Sequence, residues 1–328
     1  MILRIFKLSY FSQIALLISL TLVLWFPNFI KPQPILISES NIFTHFLFTQ
    51  PFILNTIPSK LIGLFLLLAL AFLLSHLFST HQLTHRNNFL SGFLFTLFLS
   101  RTPDHLGFHP ALIALLFLIL GLKKLLENFK SPQSLNLLLT SSILFSLAGL
   151  FIPSIILLFP LIWLSLILFQ SFSWRSIPIS LIGLILPYFI IGFSYFWIDK
   201  SLVFIQQMES LLNSLISLPA IPSTYEIIEL VISIVLLMLA SSFILSRIGN
   251  QTISIRKKTS FMYWFLGFSI LISFFNQEDL SREIVFIPYA AILGFYFSAL
   301  KRQFWADMFI SIVFLLILFQ NYRILFYA

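Results

Sequence analysis

Leu61–Phe78 reads LIGLFLLLALAFLLSHLF, a stretch without one charged residue and of the length that an α-helix needs to cross the hydrocarbon core of a bilayer. Comparable runs recur at Phe11–Ile30, Ile177–Trp197, Ile227–Leu245, Phe261–Phe275, Ile284–Leu300 and Phe304–Phe319. Two more, Phe89–Leu122 and Leu135–Phe169, are too long for one crossing and barely long enough for two, so each reads as a hairpin of short helices. The expected architecture is therefore an all-α, polytopic membrane protein of about eleven transmembrane helices. Composition agrees: 59% of the 328 residues are hydrophobic and 9% charged, against about 25% charged in a soluble domain, and the mean hydropathy is +1.03. Lipid offers no hydrogen bonds, so every buried peptide group must be paired within the protein. The runs are continuously apolar rather than alternating, which excludes barrel strands and leaves helices.

Charge sets the expected threading. With the N-terminus inside, the inner segments hold Arg4, Lys7, Arg86, Lys123, Lys124, Lys130, Arg175, Arg247, Arg256, Lys257, Lys258, Lys301 and Arg302, thirteen of the 19 basic residues. The outer segments hold Lys31, Lys60, Arg101, Lys200, Arg282 and Arg323, together with all acids but Glu127 and Asp307. Orientation thus accounts for the net charge of +8 without nucleic acid. Arg4 and Lys7 precede an apolar run with no small-residue cleavage pattern, so the first span reads as a retained anchor. No linker rich in Gly, Ser or charge divides the chain, which reads as one integral membrane domain, residues 1–328. Cysteine is absent, so disulfides and thiolate metal sites are excluded.

Four polar constellations interrupt the apolar pattern. RTPDHLGFHP (101–110) forms the tip of the first hairpin, whose arms are short enough to leave that tip below the outer lipid surface. There Arg101, Asp104, His105 and His109 suit the holding of a phosphate and the passing of a proton. A solvated loop closed by an Arg101–Asp104 pair fits the same residues. Glu39 is the only acid of the outer loop Lys31–Ile57, in which residues 41–48 suit a short surface helix. It reads either as a general base facing a substrate that arrives from lipid or as a solvated loop acid. Asp199–Tyr225 has the spacing of an interfacial amphipathic helix, through Val203, Gln207, Leu211 and Leu215. NQEDLSRE (276–283), which includes Arg282, reads as an exposed charged tip or as a site for a cation or a phosphate.

All six histidines lie between residues 45 and 109, which invites comparison with a multi-histidine iron site. The threading argues against it. His76, His81 and His85 fall at or beyond the inner end of a span, whereas His45, His105 and His109 fall outside, so no four of them meet. No metal is expected, and no cofactor is indicated.

The segments LTHRNN (83–88), HPAL (109–112), Lys123-Lys124 and FSWR (172–175), with a proline-containing span ending in YFW (195–197), resemble a family of uncharacterised polytopic inner-membrane proteins from Bacteroidota. The likeness covers most of the chain and implies no activity; the carotene-oxygenase label carried by some members conflicts with the histidine argument. In its inward N-terminus, long first outer loop with an acid, and closely set hairpins, the chain also resembles the GT-C membrane glycosyltransferases. That resemblance implies a polyprenyl-phosphate sugar substrate, Glu39 as the outward-facing base, and Arg101 with His105 on the lipid phosphate. The acid lies further from the first span than in that pattern, and no large soluble domain is expected after the last helix. Catalysis assigned to Glu39 and Asp104, with substrate held by Arg101, His105, His109 and Arg282, is the leading expectation. A structural or assembly role in an envelope complex, and a transporter, are the alternatives. Membrane lipids are the expected partners.

Overall fold

The computed structural model describes residues 10–31, 57–84, 88–102, 105–129, 135–214, 224–275, 282–300 and 304–327. Among them are twelve α-helices, two 3₁₀ segments and no strand. The helices are α1 (Tyr10–Ile30), α2 (Ile57–Thr80), α3 (Leu90–Leu99), α4 (Pro110–Asn128), α5 (Leu135–Phe151), α6 (Pro160–Leu168), α7 (Ser176–Trp197), α8 (Ser201–Ser214), α9 (Thr224–Ile248), α10 (Ile253–Phe275), α11 (Phe286–Ala299) and α12 (Phe304–Tyr327). The 3₁₀ segments, Pro153–Leu158 and Glu283–Val285, lead into α6 and α11.

Among the described residues four helices are long and apolar enough to cross a membrane: α1 from Phe11, α2, α7, and α9 from Leu230. The outer faces of α7 and α9 carry Ile185, Phe189, Phe193, Leu230, Ile234 and Met238, all exposed, with Phe189 reaching 68%. A water-facing surface of that kind would be strongly unfavourable, which makes lipid its natural solvent. At the other extreme is α3. All ten of its residues are buried, and at 1.5 Å per residue it is only about 15 Å long, half the hydrocarbon thickness. It is the axial post of the bundle, enclosed by α1, α2 and α11.

Small residues permit these close approaches, as expected where lipid supplies no hydrophobic drive between helices. A Cβ on Gly92 would lie 2.5 Å from the Ala71 carbonyl oxygen, and one on Gly294 would lie 3.1 Å from the Ser91 Cβ. Stacking of Phe98 on Phe286 at the other end of α3 makes α3 and α11 antiparallel. On the far side of the bundle α5 packs along both α4 and α7, with Gly121 against Phe145 and Gly183 against Ser142. The second hairpin differs from the expected pair of helices. Pro153 forces Ile152 into an extended conformation and ends α5, and Pro160 opens α6, so the return arm is a 3₁₀ turn followed by nine residues of α-helix.

Two internal prolines organise neighbouring helices. Pro27 in α1 cannot donate to the Val23 carbonyl, and Tyr322 of α12 supplies a hydroxyl to it at 3.3 Å. Asn321 donates to the adjacent Leu24 carbonyl at 3.2 Å and to the Ser100 carbonyl at 3.0 Å. Around Pro187 in α7, Ser146 donates to the Leu184 carbonyl at 2.6 Å. Pro27 is thus a docking point, because the carbonyl that it frees finds its donor on another helix; Pro187 deprives the Gly183 carbonyl of its amide, and the Ser146 bond goes to the next carbonyl along. Stretch 199–225, expected as an amphipathic surface helix, contributes α8, which lies against α7 with Leu202 and Ile205 exposed. Leu215 lies outside the described residues.

Candidate functional site

The connection between α3 and α4 is shaped by local chemistry. His109 precedes Pro110 and is therefore extended, with φ −131° and ψ 161°. Just before it, the His105 and Gly107 amides bond back to the Thr102 and His105 carbonyls at 3.2 and 2.9 Å, forming a tight turn. The turn is packed into the bundle rather than left at its surface: His105, Leu106 and His109 are all buried. α2 makes this possible through Gly63, which meets the Gly107 backbone with no side chain between them.

Glu283 arrives from the other half of the chain, at the start of the 3₁₀ turn before α11. Its Oε1 is 3.0 Å from His105 Nδ1 and 3.6 Å from His109 Nε2. The two imidazoles meet edge to face with ring centres 5.7 Å apart. Glu283 is 4% exposed and His109 2%. A carboxyl group so far from water requires a donor, and the His105 ring nitrogen meets that need. Glu283 Oε2 and His109 Nδ1 have no hydrogen-bond partner among the described residues, so the cluster has one free acceptor and one free ring nitrogen. Burial, the larger influence, lowers the His109 pKa to about 4; Glu283 opposes that shift and His105 reinforces it. His109 is accordingly neutral at neutral pH.

Cations flank this centre. Arg282 immediately precedes Glu283 and is half-buried. The Arg101 guanidinium lies over the Phe286 ring, 5.2 Å from its centre, one helical turn beyond Glu283. Lys60, in the first turn of α2, is 1% exposed and donates to both the backbone oxygen and Oδ1 of Asn28 at 2.7 Å. The Asn28 side-chain amide donates in turn to the Leu106 carbonyl. Trp25, one turn earlier on α1, donates to Ser100 Oγ at 3.0 Å.

Of the residues expected to form a site, the structure brings Arg101, His105, His109 and Arg282 to one end of the bundle. Glu39 and Asp104, the expected catalytic acids, lie outside the described residues. Two residues differ between sequence and structure. Glu283 belongs to a segment that reads as an exposed tip or a ligand site, yet it is buried and bonded to His105; Lys60 reads only as a topological charge, yet it is enclosed by protein. The one sequence signal for Glu283 is its position as the last acid before an uninterrupted apolar run. Lys60 lacks even that, since α2 begins three residues ahead of it at Ile57.

His76 sits toward the other end of α2, about 24 Å along its axis from Lys60, and His81 follows its last residue, about 30 Å away. Lys258 marks that end as well. It donates to the His81 carbonyl at 3.4 Å and lies over Phe129 at 5.2 Å. Among the described residues no group of three His, Asp or Glu side chains is arranged to hold a metal ion. No family model, no curated protein and no solved structure matches the chain.

Proposed function

We propose that this protein acts on a lipid-borne, phosphate-bearing substrate at the extracytoplasmic face of a bacterial inner membrane, in a bundle threaded about eleven times with its N-terminus inside. The carrying observation is the buried Glu283 carboxyl group between His105 and His109. An acid with one hydrogen-bonded and one free oxygen, beside a neutral imidazole, is equipped to take a proton from an attacking hydroxyl and return it to a leaving group. Arg282, next to Glu283 in the chain, and Arg101, over the Phe286 ring one turn beyond it, supply the positive charge that a phosphate or diphosphate requires. Glycosyl transfer from a polyprenyl-phosphate sugar, the chemistry implied by the GT-C resemblance, fits this set with Glu283 in the role that the resemblance implies for Glu39.

The test is complementation of a deletion strain with wild type, Glu283→Gln, Glu39→Gln and Asp104→Asn, with profiling of envelope lipids and glycans. Glu283→Gln preserves shape and removes the base, so it should reproduce the profile of the deletion at wild-type protein levels. Full complementation by Glu283→Gln would overturn the proposal and favour a structural role in an envelope assembly.

A further inference from the structure

We infer that Lys60 and Asn28 are positioning residues that hold His105 against Glu283 through the Leu106 carbonyl. The physical case begins with the enclosure of Lys60. A buried ammonium group is strongly unfavourable unless its protons are accepted, and the acceptors found here are two oxygens of a single residue, both at 2.7 Å. One of them, the Asn28 backbone oxygen, belongs to the last turn of α1, where carbonyls lack intrahelical donors and a cation is favoured. The other determines which way the side-chain amide faces. Lysine only donates, so Asn28 Oδ1 must face Lys60 and Nδ2 must face away from it. It faces the Leu106 carbonyl.

Leu106 follows His105 directly, and the next residue, Gly107, rests on Gly63 one turn along α2 from Lys60. Consecutive residues of the histidine turn are thus gripped from α1 and pressed from α2. His105, with its backbone held on one side, presents Nδ1 to Glu283 178 positions further along the chain. Without a donor on Leu106 the turn loses one of these two constraints, and the 3.0 Å contact loses its geometric support.

The significance of this role rests on the proposed function, but its test does not. The full-length protein is reconstituted in nanodiscs with ¹⁵N-labelled histidine, and the hydrogen-bonded Nδ1–H of His105 is followed by NMR, assigned by its loss in His105→Gln. Asn28→Asp keeps both acceptors for Lys60, and with them the cap of α1, but removes the donor to Leu106. It should fold, and it should lose the His105 Nδ1–H signal or reduce it severalfold. A new carboxylate alone would move the titration and leave that bond in place. Lys60→Arg, which still donates to both Asn28 oxygens, should retain the signal. A folded Asn28→Asp protein with a wild-type His105 signal would show that the pair merely caps α1 and would overturn the inference. An unaltered envelope profile in the Glu283→Gln strain would overturn the proposed function while leaving this result intact.

Discussion

Adding one methyl group at Gly63 tests whether α2 sets the position of the histidine turn. A Cβ built there lies 2.5 Å from the Gly107 carbonyl carbon, 2.6 Å from its oxygen and 2.7 Å from the Phe108 nitrogen. All three are backbone atoms, so no side chain is available to swing aside. To regain an ordinary contact of 3.4 Å, the turn must retreat by about 0.9 Å. His105 and His109 lie two residues to either side of Gly107. Were the full displacement expressed along the His105–Glu283 contact, 3.0 Å would become about 3.9 Å, beyond hydrogen-bonding range. Overpacking of this kind costs about 1–3 kcal/mol, offset in part by a helix-propensity gain of about 1 kcal/mol for glycine to alanine. Gly267 in α10 serves as the internal control, because nothing lies within 4 Å of its hypothetical Cβ. Gly63→Ala should lower the melting temperature in nanodiscs and abolish the His105 Nδ1–H signal; Gly267→Ala should leave the signal unchanged and stabilise the protein slightly. A Gly63→Ala protein with a wild-type signal and an undiminished melting temperature would refute the reasoning.

Three further outcomes are expected from the geometry. His109 has a folded-state pKa of about 4, below the ordinary 6.5, so the unfolded chain takes up a proton that the folded state refuses. The stability due to neutral His109 is complete above pH 6.5 and is lost as the pH falls toward 4, by up to about 3 kcal/mol; His109→Gln should flatten the melting temperature across that window. Asn321→Leu removes two of the hydrogen bonds that join α12 to α1 and to the end of α3. At about 0.6 kcal/mol for an average interhelical bond in a membrane, it should destabilise by about 1 kcal/mol and hasten proteolysis of α12, measured by limited digestion. Gln170, at the end of α6, has a left-handed φ of 58° while the Ser171 amide bonds to the Leu166 carbonyl at 3.0 Å. Gln170→Gly should relieve about 1 kcal/mol of strain, visible as a higher melting temperature.

Sequence alone determined that the chain is helical and rich in surface that disfavours water. Runs such as Leu61–Phe78 leave the backbone no partner but itself, which dictates helix whatever the neighbours do. Local stereochemistry accounts for the departures: Pro110 extends His109, and Pro153 and Pro160 break the return arm of the second hairpin where the apolar run alone suggests a plain pair of helices. The grouping of Arg101, His105 and His109 was visible too, because those residues are close in the chain.

Only the tertiary structure decided which acid joins them. Glu283 stands 178 residues from His105, and its one sequence signal, the place of the last acid before an apolar run, does not point to those histidines. Its burial comes from the antiparallel packing of α11 on α3, which brings the mouth of one helix to the end of the other. The same holds for Lys60. A lysine near the start of an apolar helix reads as a charge reaching for water, and it becomes an internal donor because the end of α1 happens to meet it. Helix formation is written in nearest neighbours, whereas the protonation and pairing of a buried group depend on everything that excludes water from it.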